Sequence, residues 1–245
     1  MAHLSFPAHL SFPNESAEYR TARNALFEAE IALRAQIEAV AAQRRQLPPG
    51  GAVPEDYVFE RLGANLMPEK VKMSQLFGKH DTLVLYSFMY GPDRALPCPG
   101  CTHLLDSVAG SAQHVGQRVA FYVVAKSPIA RLTAWAAERG WHHLQFASTA
   151  GNNYDADYFG DTSKLSPDMR AAFHVPTGEN WDETMYNVFH LREGKIRHFW
   201  GSELSYGPTE SNQHHRSGDL TNALWGLLDM TPEGRGQFFP KVRYD

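Results

Sequence analysis

Cysteine is scarce in this chain, with two in 245 residues. So few cannot staple a disulfide-rich secreted scaffold, and without a second Cys-x-x-Cys there is no four-sulfur zinc site. Long apolar runs are also missing. None approaches the ~20 residues that a membrane-spanning helix needs, so no membrane is expected as partner. Neither sign of charge dominates, since 23 Lys+Arg against 27 Asp+Glu leave a net −4. That balance gives no reason to expect nucleic acid or an anionic surface as a partner. The first residues carry neither the basic flank nor the long apolar stretch of a secretory leader, and a cytoplasmic location is expected. What is present, 43% hydrophobic and 12% aromatic residues, is ample for a core.

Both cysteines fall in one short stretch, Cys98-Pro-Gly-Cys101. An apolar run over residues 83–90 precedes them and reads as a buried strand, with a turn at Gly91, Pro92 and Asp93 between. A strand, a turn and a dithiol at a helix start form the context in which Cys-x-x-Cys reads as redox. With Cys98 at the N-cap and Pro99 in the first turn, the sulfur of Cys98 faces unpaired backbone N–H groups, which favour thiolate. Cys98 is therefore the candidate nucleophile and Cys101, one turn in, the resolving thiol. Arg94 is expected to add positive potential, Asp93 to oppose it, and His103 is a candidate proton carrier. The alternatives are a soft-metal (zinc or copper) binding protein that adds histidines to the two sulfurs, and a helix-mediated interaction protein with incidental thiols.

Residues 2–7 are duplicated as residues 8–13, which reads as a flexible tail covering residues 1–13. Asn14 or Ser16 caps a long helix that Pro48, Pro49 and Gly50 stop, giving a helical extension over residues 14–50. Tyr19, Leu26, Leu33, Val40 and Leu47 recur every seven residues, a narrow stripe suited to packing on the parent domain or to a homodimer through residues 15–47. Residues 51–80 read as a connecting segment with a short extended piece at residues 57–59 and a helical turn near Ser74. Then follow a helix over 98–115, a strand over 119–125, a helix from Ser127-Pro128 to Arg139, and a short strand over 144–147. Residues 152–160 read as a loop, and Ser166 opens a short helix. A hairpin over 186–191 and 195–200 and a helical segment over 220–228 complete the chain. This order predicts an α/β thioredoxin-like fold, a central mixed sheet flanked by helices, over residues 51–245, with the long N-terminal helix added.

The chain resembles a bacterial thioredoxin-like family of unknown function described as predicted dithiol-disulfide oxidoreductases. The matching pieces are residues 18–26, residues 56–60, Phe88-Met-Tyr-Gly-Pro-Asp93, Cys98-Pro-Gly-Cys101, Asn153-Tyr-Asp155 and residues 228–235. The resemblance implies a thioredoxin-like fold and thiol redox chemistry, without naming a substrate. Ordinary thioredoxins place a cis-proline before the hairpin. Here the equivalent position is near Thr184-Met185, with no proline. Ala95 stands where a peroxiredoxin would have Thr, and the Cys-x-x-x-Cys of a copper chaperone is absent. Asn153, Tyr154, Asp155 and Thr184 are candidate cleft residues, with turn geometry the plainer reading of the first three. Trp141 and Trp181 are expected to pack or to rim a groove. The expected partners are a protein or small-molecule disulfide or thiol and an electron donor, with no cofactor and no resident metal.

Overall fold

The computed structural model describes residues 10–172, 175, 181–211, 213–214 and 216–244. The chain divides into two compact units, Met1–Pro48 and Pro49–Asp245. Most of the duplicated tail lies outside the described residues. In the first unit, helix α1 spans Ala17–Arg45. Ser16, rather than Asn14, caps it, its hydroxyl accepting the Tyr19 amide hydrogen at 3.1 Å.

The second unit is built on one seven-stranded sheet. Its elements are β1 (Val58–Leu62), β2 (Pro68–Lys72), α2 (Met73–Leu76), β3 (Thr82–Ser87), α3 (Pro99–Ala109), α4 (Ala112–Val115), β4 (Ala120–Ala125), α5 (Ile129–Arg139) and β5 (Gln145–Ser148). They continue with α6 (Tyr154–Asp157), α7 (Pro167–Ala172), β6 (Tyr186–Arg192), β7 (Lys195–Gly201) and α8 (Ala223–Leu228). The strand order is β2-β1-β5-β4-β3-β6-β7. β3, β4 and β5 run parallel, and β6 pairs antiparallel with β3 and with β7. Helices connect the parallel strands and a hairpin closes the sheet, which is the thioredoxin-like arrangement.

Alternation along the central strands divides the core. Tyr86 of β3 and Phe121, Val123 and Ala125 of β4 face a cluster with Leu105, Ile129 and Trp135. Leu83, Leu85, Tyr122 and Val124 face the other side, with Phe59, Tyr154 and Phe189. Trp141 packs in the first cluster, its indole N–H donating to Asp106 Oδ1 at 2.9 Å.

Several sequence expectations are corrected. The segment over 51–80 is not a mere connection, because β1 and β2 form an edge hairpin of the sheet. Pro68-Glu-Lys-Val-Lys72 carries little strand signal, but proline at the first position and exposed lysines suit an edge strand. The helix after the dithiol stops at Ala109 and resumes as α4 beyond Gly110 and Ser111. Residues 152–160 are not all loop, since they contain α6. Ser127 makes no cap bond to α5. It is fully buried, and its hydroxyl accepts from Arg131 Nη1 at 3.1 Å. Gly140 ends α5 with φ +70°, a left-handed value that glycine adopts freely. Among the described residues no helix is long and apolar enough to cross a membrane.

Candidate active site

β3 and α3 deliver the dithiol. The Phe88 amide donates to Val124 O at 2.8 Å, which carries strand pairing one residue beyond β3. The chain leaves the sheet over residues 91–97 and returns where the Cys98 amide donates to Met89 O at 3.0 Å. Cys98 is the N-cap of α3 with Pro99 behind it, so the missing proline N–H removes no helix bond. Its carbonyl accepts from the Thr102 amide and hydroxyl, each at 2.9 Å.

The connecting loop is held by remote residues that sequence reasoning did not single out. Asp182, 7% exposed, accepts the Gly91 amide hydrogen at 2.6 Å and pairs with Arg94 Nε at 3.2 Å. Lys126 Nζ lies 2.9 Å from Asp182 Oδ1 and 3.6 Å from Asp161 Oδ2. Arg131 directs its guanidinium at the carbonyls of Gly91 (3.0 Å), Pro92 (3.4 Å), Arg94 and Ala95 (3.3 Å), and lies 4.1 Å over the Tyr90 ring. One planar fork with five N–H donors meets several acceptors at once, which an ammonium does less well. No signal in the sequence marks these residues, since they act across 35 to 91 positions.

The two thiols are held in unlike states. The Cys98 pKa is lowered to about 6. The Cys101 S–H donated to its sulfur is the largest cause, joined by the backbone N–H groups of Cys101 and Gly100 and by the Arg94 charge, while burial opposes the shift. Cys101, 4% exposed, is pushed well above the ordinary thiol value by its bond to Cys98 and by burial. The Tyr86 hydroxyl donates to Cys101 and so acts against that rise. The result is a half-buried Cys98 that favours the thiolate beside a buried Cys101 that favours the protonated form.

Beside the sulfurs is a cavity of about 210 Å³. Tyr86, Thr184, Tyr186, His103, Trp225 and Phe239 are among its walls. Thr184, at the position where a thioredoxin carries proline, therefore sits at the dithiol. His103 bonds with Asn222, whose Nδ2 is 3.1 Å from His103 Nδ1, and meets Trp225 edge-on at 5.5 Å. Burial lowers the His103 pKa, so the ring is a neutral member of the wall. Arg94 lies on the loop between Asp182 and the Trp181 ring, 5.2 Å from the latter. Asp93 is exposed on the same loop.

Asn153, Tyr154 and Asp155 do not meet the dithiol cavity, and the expectation that they line it is corrected. Asn153 is the exposed residue before α6, and Tyr154 is fully buried on the opposite face of the sheet. Asp155, 4% exposed, accepts the Thr149 hydroxyl hydrogen beside Asp161 and Asp182. Its carboxyl is raised to about 7, chiefly by burial, against the pull of Thr149 and Lys126. Three carboxylates (Asp155, Asp161 and Asp182) face the cations Lys126 and Arg94, so a protonated Asp155 leaves the group neutral. The Ser87 hydroxyl next to it has no partner among the described residues. A larger cavity of about 720 Å³, bounded by Tyr158, Asn187 and His198 among others, contains neither cysteine. Among the described residues no three His, Cys, Asp or Glu side chains group so as to hold a metal.

The model of a family described as "Bacterial protein of unknown function (DUF899)" matches residues 10–244. No curated protein matches the chain. Solved structures similar to it include the peroxidoxin BcpB of Mycobacterium tuberculosis, at 15% identity and TM-score 0.42, covering 73% of this chain and 96% of that one. AhpC of Enterococcus faecalis follows at 10% identity and TM-score 0.43, covering 78% and 98%. Peroxiredoxin Q of Xanthomonas campestris has 14% identity and TM-score 0.41, covering 71% and 95%. Likeness at this level carries no argument about chemistry.

Proposed function

The chain belongs to the DUF899 family, whose description leaves its activity open, and we propose that it is a dithiol–disulfide oxidoreductase. The observation that carries this reading is the placement of the pair, with Cys98 half-buried at the N-cap of α3 and Cys101 buried one turn further in, so that their mutual hydrogen bond lowers the first thiol and raises the second. In the reaction the Cys98 thiolate attacks one sulfur of a disulfide and forms a mixed disulfide, and the departing thiolate takes a proton from solvent. Cys101 then loses its proton and attacks Cys98 Sγ, which releases the second thiol and leaves the Cys98–Cys101 disulfide. Two electrons pass from the dithiol to the substrate, and a dithiol reductant restores the reduced pair. The Met89 thioether and the phenols of Tyr86 and Tyr186 line the cavity beside the sulfurs, and the Tyr86 hydroxyl would stabilise Cys101 as its proton leaves. Such a role suits a reducing compartment such as the cytoplasm.

The test is to trap the intermediate. A Cys101→Ala variant should accumulate a mixed disulfide on Cys98 that the wild type resolves, and the wild type should form a reversible internal disulfide with a defined potential. A thiol pair that does not oxidise reversibly would sink the reading. The soft-metal alternative finds no third ligand among the described residues.

A further inference from the structure

The C-terminal segment crosses the dithiol and is fixed on both sides of the crossing. Before it, Arg235, 9% exposed, pairs with Asp219 at 2.6 Å and Asp229 at 2.7 Å, its guanidinium 5.4 Å over the Trp225 ring. Gly234 and Gly236, at φ +59° and +50°, turn the chain on either side of Arg235. After the crossing, Val242 is buried in the first core cluster and its carbonyl accepts from Arg139 Nη1 at 3.0 Å. Between these anchors Pro240 is buried, whereas Phe239 is 65% exposed. The Phe239 ring nevertheless lines the same cavity as Cys98. The point where a Gly100 Cβ would lie is 3.7 Å from Cys98 Sγ and 3.8 Å from Phe239 Cζ.

The cavity that this strap helps to enclose has aromatic and hydroxyl walls. Its described lining includes neither Lys nor Arg, and its one carboxylate, Asp219, is already paired with Arg235. An anionic substrate group would meet no Lys or Arg in that lining and would face the Cys98 thiolate, with His103, His214 and the more distant Arg94 charge left to offset the cost of a half-buried site. An extended polypeptide would have to pass the Phe239 ring on a segment whose chain is held at Arg235 and Val242.

On the strength of the oxidoreductase reading above, we propose that the strap over residues 235–242 makes this a site for low-molecular-weight disulfides with uncharged aromatic or apolar substituents, and that Phe239 excludes polypeptide disulfides. The electron count is unchanged, with one small disulfide reduced to two thiols as Cys98 and Cys101 are oxidised.

The experiment uses the full reduced chain with three probes: dipyridyl disulfide (uncharged and aromatic), dithiobis(nitrobenzoate) (an aromatic dianion) and insulin. Rates are normalised to those of N-acetylcysteine thiolate. The uncharged probe should be favoured over the dianion by about tenfold relative to that reference, with insulin reacting slowest. Phe239→Ala should speed insulin reduction several-fold and weaken the preference for the uncharged probe. Phe239→Leu, which keeps the bulk, should still exclude insulin. Equal normalised rates for the two small probes, or insulin reduction insensitive to Phe239→Ala in a folded variant, would overturn the proposal. Failure of the dithiol to react with any probe would instead remove the reading beneath it.

Discussion

Asp182 accepts the amide hydrogen of Gly91 at 2.6 Å, and so joins the loop leading into the dithiol to a residue 91 positions later. The approach explains the glycine. A Cβ on Gly91 would fall 2.6 and 2.7 Å from the two carboxylate oxygens, closer than atoms can stand. Gly91→Ala must therefore push the loop off Asp182 or push Asp182 off Lys126. A loss of about 1–3 kcal/mol in urea unfolding is expected, together with slower alkylation of Cys98. A variant as stable and as reactive as the wild type would contradict the tether.

Arg131 should resist its nearest replacement. Lysine keeps the charge but has no fork, and it cannot reach the carbonyls of Gly91, Arg94 and Ala95 together while lying flat over Tyr90. Arg131→Lys is expected to cost about 1–3 kcal/mol, the range for buried acceptors left unmet. The check is the thermal midpoint, read beside the circular dichroism of the folded state to exclude gross rearrangement.

The reactivity of Cys98 should depend on Cys101 before any disulfide forms. Alkylation of the wild type by iodoacetamide, followed against pH, is expected to show a midpoint near the lowered value of about 6. Cys101→Ala deletes the largest contributor, the S–H donated to the Cys98 thiolate. The midpoint should then climb toward the ~8.5 of a free thiol, stopping short of it because the Gly100 and residue-101 amides and Arg94 remain. A midpoint unmoved by this substitution would place the cause in the helix start alone.

Asp155 gives a stability signature with a definite sign. Its folded pKa, about 7, lies above the ~3.9 of an unfolded aspartate. The folded protein therefore binds the extra proton, and this group's contribution declines as pH rises from ~3.9 to about 7. Each tenfold separation of the two ionisation constants is worth about 1.4 kcal/mol. Asp155→Asn has nothing to titrate, so its stability relative to the wild type should rise across that window and level off above it. Chemical denaturation at a series of pH values decides the matter, and a constant difference would mean that Asp155 is ionised throughout.

The dithiol and its strand were legible because their signals are local. An apolar run, a turn and a dithiol at a helix start lie within 19 residues of one another. The hairpin of β6 and β7 was legible for the same reason, its turn lying at Glu193-Gly194 with positive φ at both. The edge strand β2 was not, because its charged residues suit solvent on an outer strand and mimic a linker. Tyr154 and Asp155 were candidate cleft residues as part of a polar cluster, with turn geometry the plainer reading, whereas here one fills the core and the other serves a buried charge group. Arg131, Lys126 and Asp182 stayed hidden because their partners are backbone atoms or one another across the fold, and no short window holds both sides of such a contact.

That last circumstance bears on engineering. Arg131 and Asp182 grip the loop by its carbonyls and one amide, so the exposed side chains of Asp93, Ala95 and Leu96 are free to be exchanged. The same fact makes residues 88–101 a poor cassette. Grafted onto a foreign scaffold they would bring the two sulfurs and leave behind the grip that holds the loop in place. A transplant would have to carry positions 126, 131 and 182 as well, at matching depth in the host sheet.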